Sequence, residues 1–212
     1  MFDEQASIIT LALVLLTTAI SVAAFSSPVL FAQLLFEPFV IKARGQWYRF
    51  ITHAFIHANW PHLLVNMFVL YMFGRNVEML LQLVTGGHAM LAFIGLYAGG
   101  VLFSTLPSYR RHIHDPNYRA VGASGAVSAV LFAQVLMLPT RQLELLFFPM
   151  PIPAWVFGLL YLAYSWYMDR RSGDNVAHDA HFYGAVFGLL YMTVLDPGLL
   201  LNWGSFQHSL GI

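Results

Sequence analysis

The chain has 212 residues, of which 58% are hydrophobic and only 9% charged, with no cysteine and a formal net charge of zero. A soluble domain carries roughly 25% charged residues, so this balance, with a mean hydropathy of +0.66, indicates an integral membrane protein forming one domain over residues 1–212. Neutrality gives nucleic acid and other polyanionic partners no support, and the lack of cysteine removes disulfides, thiolate zinc sites and cysteine nucleophiles together.

The N-terminus, Met1-Phe2-Asp3-Glu4, is acidic, and the apolar run behind it is too long for a signal core; a spanning helix is expected rather than a cleaved signal peptide. A bilayer crossing takes about 20 mostly apolar residues, and six segments qualify. They run from Ile8 to Phe25, from His62 to about Leu81, from His88 to Leu106, from Ala120 to Leu138, from Ile152 to Met168 and from Ala177 to Leu195. None alternates as a membrane β-strand would, so the expected fold class is an all-α membrane protein with six transmembrane helices. Residues 26–61 form a long connection rich in aromatics, among them Phe31, Phe36, Phe39, Trp47, Tyr48 and Trp60, with few charges. Such a stretch suits the membrane interface. The other long connection, Pro107 to Arg119, is polar.

Charge placement bears on orientation. Lys42, Arg44, Arg49, Arg110, Arg111, Arg119, Arg170 and Arg171 lie in odd-numbered connections, and only Arg75 and Arg141 lie in even ones. By the positive-inside rule the odd connections would be cytoplasmic and both termini outside.

Polar groups at membrane depth are costly and therefore mark functional positions. Ser124 stands in Gly122-Ala123-Ser124-Gly125 at the head of the fourth segment, and His181 in Ala180-His181-Phe182-Tyr183-Gly184 at the head of the sixth. A hydroxyl and an imidazole brought together are the minimum for nucleophilic catalysis. Gly184 and Gly188 share a face with His181 in a small-xxx-small pattern that lets helices approach closely. Gly125 and its neighbours Ala123, Ala126, Ser128 and Ala129 offer a matching surface. His62 and Asn66, spaced i,i+4, share a face of the second segment; both can donate to a developing oxyanion or serve as polar glue between helices. All three clusters sit at segment starts on one side. His178 is a nearby decoy out of line with the glycine face, and Asp179 points to another face. His53, His57 and His62 could be metal ligands by type, but no His-Glu-x-x-His is present and no carboxylate joins them; neither a metal nor another cofactor is expected.

Together these residues resemble the rhomboid family of intramembrane serine proteases. The likeness covers residues 47 to 195 and rests on Trp47-Tyr48-Arg49, His62-x-x-x-Asn66, Gly122-Ala123-Ser124-Gly125 and Ala180-His181-x-x-Gly184-x-x-x-Gly188, with Glu78 fitting a buried glutamate of the second helix. The resemblance implies a compact six-helix prokaryotic form without an added cytosolic domain or seventh helix, in the plasma (inner) membrane. It implies a Ser–His dyad with Ser124 as nucleophile and His181 as base. It makes His62, Asn66 and the Ser124 amide the oxyanion hole, gives Gly122 and Gly125 the task of accommodating the substrate backbone, and gives Trp47, Arg49 and Glu78 structural roles. It implies a first loop lying partly in the bilayer and a gate around Pro149, Pro151, Pro153, Trp155 and Phe157. It also implies a catalytic face outside the cytoplasm, the reverse of the orientation given by the arginine bias. The partners implied are transmembrane protein substrates and the lipid bilayer. An inactive relative that binds or remodels client helices is the alternative, and it tends to lose one member of the dyad; both are present here.

Overall fold

The computed structural model describes residues 7–145, 148–171 and 176–201; Met1–Glu4 lie outside them. Each of the six apolar segments carries a helix: α1 (Ile8–Phe25), α5 (Trp60–Thr85), α6 (Ala89–His112), α7 (Ser124–Met137), α8 (Ala154–Asp169) and α9 (His178–Leu195). A short terminal helix, α10 (Gly198–Leu201), follows. By length and composition, the stretches Ile8–Phe25 and Trp60–His112 are apolar enough to cross a membrane. The second comprises α5 and α6, packed on each other across a 3-10 turn at Gly86–His88. Many large apolar side chains point outward, including Leu15, Leu64, Val65, Leu159, Leu160 and Val194. A surface of that kind is stable against lipid and is a liability in water.

The long first connection is ordered. It holds α2 (Pro28–Leu34), α3 (Pro38–Arg44), α4 (Arg49–Thr52) and a 3-10 turn at His53–Phe55. Local chemistry sets these boundaries. Pro28 and Pro38 start α2 and α3 where a missing N–H costs nothing. Ser27 Oγ accepts from Leu30 N at 3.3 Å, and Gly45, at φ 66°, ends α3 in the left-handed region. Arg49 ties the pieces together. It is buried, donates to the carbonyls of Ala32 and Leu35 at 2.9 and 2.7 Å and to Gln46 Oε1 at 2.7 Å, and pairs with Glu37 at 3.1 Å. A guanidinium at the spent C-terminal carbonyls of α2 satisfies acceptors that would otherwise be orphaned. Trp47 is 59% exposed; it stacks on Phe50 and meets Tyr109 at a tilt, each with ring centroids 6.0 Å apart.

Three boundaries differ from those the sequence pattern predicts. The polar connection expected from Pro107 is helical as far as His112, with Pro107 inside α6. The extra turns are held by tertiary partners: Ser108 donates to Asp179, Tyr109 packs on Phe50, and Arg111 pairs with Asp169 at 2.9 Å. Residues 120–123 are not helical; Ala120 pairs with Phe36 through two 3.0 Å backbone bonds, and Gly122 has φ 112°. The pattern predicts an all-helical chain, yet Gln142–Leu145 and Phe148–Pro153 form an antiparallel pair, β1 and β2, with Gln142 opposite Pro153 and Leu145 opposite Phe148. The prolines at 149, 151 and 153 exclude a helix there, and a two-stranded ribbon consists only of edges, where proline is tolerated.

At the centre stands α7. All of its 14 residues except Ser124 and Leu136 are buried. It packs against α5, α6, α8 and α9. At 1.5 Å per residue it is about 21 Å long, shorter than a hydrocarbon core of about 30 Å. Glu78, in the last third of α5, works at the opposite end: its carboxylate accepts from Ile9 N at 3.0 Å and Thr10 N at 2.8 Å, capping α1 from a neighbouring helix. It takes no part in the first loop that Trp47 and Arg49 organise.

Candidate active site

The N-termini of α5, α7 and α9 meet at one end of the bundle. Asn59 caps α5, its Oδ1 accepting from His62 N at 2.9 Å, and Pro61 stands in the first turn. This cap fixes His62 one turn into the helix. Asn66, one turn further and buried, donates to the carbonyl of His62 at 2.9 Å. His62 Nδ1 faces the Ala58 amide at 3.5 Å; accepting there leaves the proton on Nε2. That nitrogen is aimed at Gly122: a Cβ on Gly122 would stand 2.9 Å from it. Glycine is required at this point twice over, for its φ of 112° and for the space the imidazole takes.

Ser124 is the first residue of α7 and half-buried, and His181 lies in the first turn of α9, also half-buried. Their helices touch backbone to backbone. A Cβ on Gly184 would overlap the carbonyl of Gly125, one on Gly188 would overlap that of Ala129, and one on Gly125 would stand 3.4 Å from the carbonyl of Ala180. The residues adjoining Ser124 and His181 are therefore in contact, which brings the two onto facing helix ends at one level. Behind Gly122 and Ser124 lies a cavity of about 20 Å³, room for one water. His53, Ser104, Ser108 and Tyr118 face it among others.

The remaining histidines belong to the surrounding scaffold. His53 Nδ1 donates to the carbonyl of Arg49 at 3.0 Å, and the His53 carbonyl accepts from Gly122 N at 2.9 Å. His57 Nδ1 is 3.0 Å from Ser21 Oγ, whose own proton goes to the Phe55 carbonyl at 2.9 Å. The hydroxyl must then accept from His57, leaving His57 Nε2 as a buried acceptor without a partner among the described residues, its ring 4.9 Å from that of His62. Burial lowers His53 to about 4; burial, reinforced by the neighbouring His62, lowers His57 to about 3. Both are neutral at ordinary pH. Among the described residues, no three His, Cys, Asp or Glu side chains converge to hold a metal.

Sequence reasoning missed Tyr161 and gave Asp179 and Ser128 no bond at the site. Asp179 accepts from Ser108 Oγ and from Ala180 N at 2.8 Å, holding the start of α9 to α6. Tyr161 of α8 reaches Ser128 Oγ at 2.7 Å and stacks toward His181 with ring centroids 6.3 Å apart. An acidic residue in a first helical turn, and a serine one turn after Ser124 on the same face, were the available signals. His178 is buried, its ring 6.0 Å from that of His181.

Comparison with known proteins bears on the family. The rhomboid domain profile matches residues 44–197. The chain is 29% identical over 162 residues to RHOMBOID-like protein 12, mitochondrial, of Arabidopsis thaliana, covering 73% of this chain and 48% of that protein. It is 30% identical over 159 residues to Rhomboid-related protein 1 of Caenorhabditis elegans, covering 72% and 41%. It is 33% identical over 168 residues to Rhomboid-like protein 11, chloroplastic, of Arabidopsis thaliana, covering 71% and 53%. The chain thus spans about half the length of the curated relatives it matches. The matched region includes all three helix N-termini and the first-loop arginine, and on that ground the chain belongs to the membrane-embedded rhomboid family.

Proposed function

We propose that the chain is an intramembrane serine endopeptidase that cleaves transmembrane proteins in or near their spanning segments. The six helices α1, α5, α6, α7, α8 and α9 cross the bilayer in this reading. Ser124 Oγ attacks the scissile carbonyl while His181 takes its proton, and His181 then protonates the leaving amine. Water hydrolyses the acyl-enzyme with His181 again as base. The developing oxyanion is received by His62 Nε2–H, by Asn66 and by the Ser124 amide, which as a first-turn N–H has no helical acceptor of its own. The space beside Gly122 and Gly125, which the resemblance gives to the substrate backbone, is taken by the His62 imidazole at the one and by Ser104 and the Ala180 carbonyl at the other, so in this reading the two glycines serve the close packing around Ser124. A substrate helix must be extended to enter, so segments weakened by Gly, Ser or Pro are the preferred targets.

The observation that carries this reading is the contact of Gly184 with the Gly125 backbone, which sets Ser124 and His181 on adjoining helix starts. The short central helix supports a site sunk below the membrane surface and open to water on one side. The orientation proposed has the catalytic face outside the cytoplasm in a prokaryotic plasma membrane. Arg49, Arg111 and Arg119, three of the eight basic residues that bias the charge count the other way, are each paired with a carboxylate, Glu37 or Asp169, which gives them a structural role besides any bearing on orientation. Reconstituted in liposomes with a transmembrane substrate, the protein should cleave it, His181→Ala should abolish cleavage and His178→Ala should retain it. Cleavage surviving His181→Ala would overturn the assignment of the base; a folded parent that binds but never cleaves would favour the client-binding alternative.

A further inference from the structure

His181 is not held by its own helix alone. The ring of Tyr161, from α8, lies nearly parallel to the imidazole at 30° with centroids 6.3 Å apart, within the range of an offset aromatic stack. Tyr161 is itself fixed from both sides. Its hydroxyl is 2.7 Å from Ser128 Oγ, one turn beyond Ser124 on α7, and its ring packs against Phe132 of α7 at 5.4 Å and Phe157 of α8 at 5.8 Å. One side chain therefore touches the helix of the nucleophile, the ring of the base and the core of α8. Ser128 is buried, so the hydroxyl pair between the two helices is shielded from water.

We propose that Tyr161 is a positioning residue for His181, so that the base is aligned only while α8 is seated against α7. The inference rests on the Ser124–His181 dyad and adds that a third helix sets its geometry. The ring supplies a flat face against which the imidazole keeps one orientation, and the Ser128 bond keeps that face in place. Displacement of α8 then disturbs proton transfer as well as access.

The test compares Tyr161→Phe, Tyr161→Leu and Ser128→Ala with the parent in detergent and in liposomes, measuring kcat and KM on a transmembrane substrate, the rate of labelling by a fluorophosphonate, and the thermal midpoint. Tyr161→Leu should lower kcat and the labelling rate together by about tenfold, the upper range of an aromatic pair expressed as a rate, at unchanged KM. Tyr161→Phe and Ser128→Ala remove the same hydroxyl pair and keep the ring, so both should stay within about twofold of the parent. Should Tyr161→Leu fail to fold, Tyr161→Met carries the same contrast with Phe. A Leu or Met variant as fast as Phe, or a loss confined to KM, overturns the proposal. A parent without serine reactivity overturns the dyad itself, which separates the two failures.

Discussion

Gly184→Ala is the sharpest perturbation available, because it adds one methyl group and nothing else. The new Cβ would stand 2.8 Å from the carbonyl carbon of Gly125 and 3.0 Å from its Cα, and closer still to the oxygen. These are backbone atoms of the buried helix α7, which cannot swing aside as a side chain can. Ordinary contact needs about 3.5–4.0 Å between carbons, so α9 must retreat from α7 by roughly 0.5–1 Å at this turn. Overpacking of this kind costs about 1–3 kcal/mol of stability. The catalytic cost should be larger, because His181 lies one turn earlier on the same helix face and moves with it; a misplacement of about 1 Å can cost about 10²-fold in rate. Turnover of a transmembrane substrate should drop by about that factor while the protein still purifies as a folded species. Gly87→Ala, where a Cβ meets nothing within 4 Å, is the control and should leave activity unchanged. Full activity in Gly184→Ala would refute the claim that close α7–α9 approach sets the dyad.

Three further outcomes rest on contacts elsewhere in the bundle. Asn66→Ala should lower kcat by about 10²–10³-fold with little change in KM, as for other oxyanion donors; a change in KM alone would remove Asn66 from that role. Glu78→Ala should lower the thermal midpoint by leaving the amides of Ile9 and Thr10 unsatisfied, a loss of about 1–3 kcal/mol, while the fraction that remains folded keeps its activity; an unchanged midpoint would show the cap to be idle. Stability should also depend on pH through His53 and His57. Their folded values, about 4 and about 3, lie below the unfolded 6.5, so the unfolded chain binds protons that the folded chain refuses. Above pH 6.5 the penalty vanishes; as pH falls from 6.5 toward 4, stability should decline by up to about 1.4 kcal/mol per unit for each histidine. A thermal midpoint that stays flat over that window would contradict the burial of neutral imidazoles.

Much of the helix framework could be read from the chain. The apolar runs placed α1, α5, α8 and α9 within a few residues of their ends, and at α5 and α8 the stops Asn59, Pro61, Gly86 and Pro153 act locally. What could not be read was set by partners distant in sequence. Pro107 is carried inside α6 because Ser108 and Arg111 meet Asp179 and Asp169. The fourth helix begins late because Ala120 is paired with Phe36. Residue spacing pointed to Ser124, His181, His62 and Asn66 as polar groups on one side of the bundle. Spacing is silent, however, on Tyr161, which reaches the site from a different helix, and on Ser21, whose hydroxyl fixes the tautomer of His57 across the first loop. The resemblance gave Trp47 and Arg49 structural roles without saying what they hold; the carbonyls that Arg49 holds belong to a helix the sequence pattern did not reveal.

The most direct test of the central claim is labelling of the purified protein with a fluorophosphonate serine probe beside Ser124→Ala. The account predicts that the parent is labelled covalently and that labelling is lost in the variant, with both showing the same thermal transition. A folded parent that takes up no probe, or a Ser124→Ala variant labelled like the parent, would contradict it.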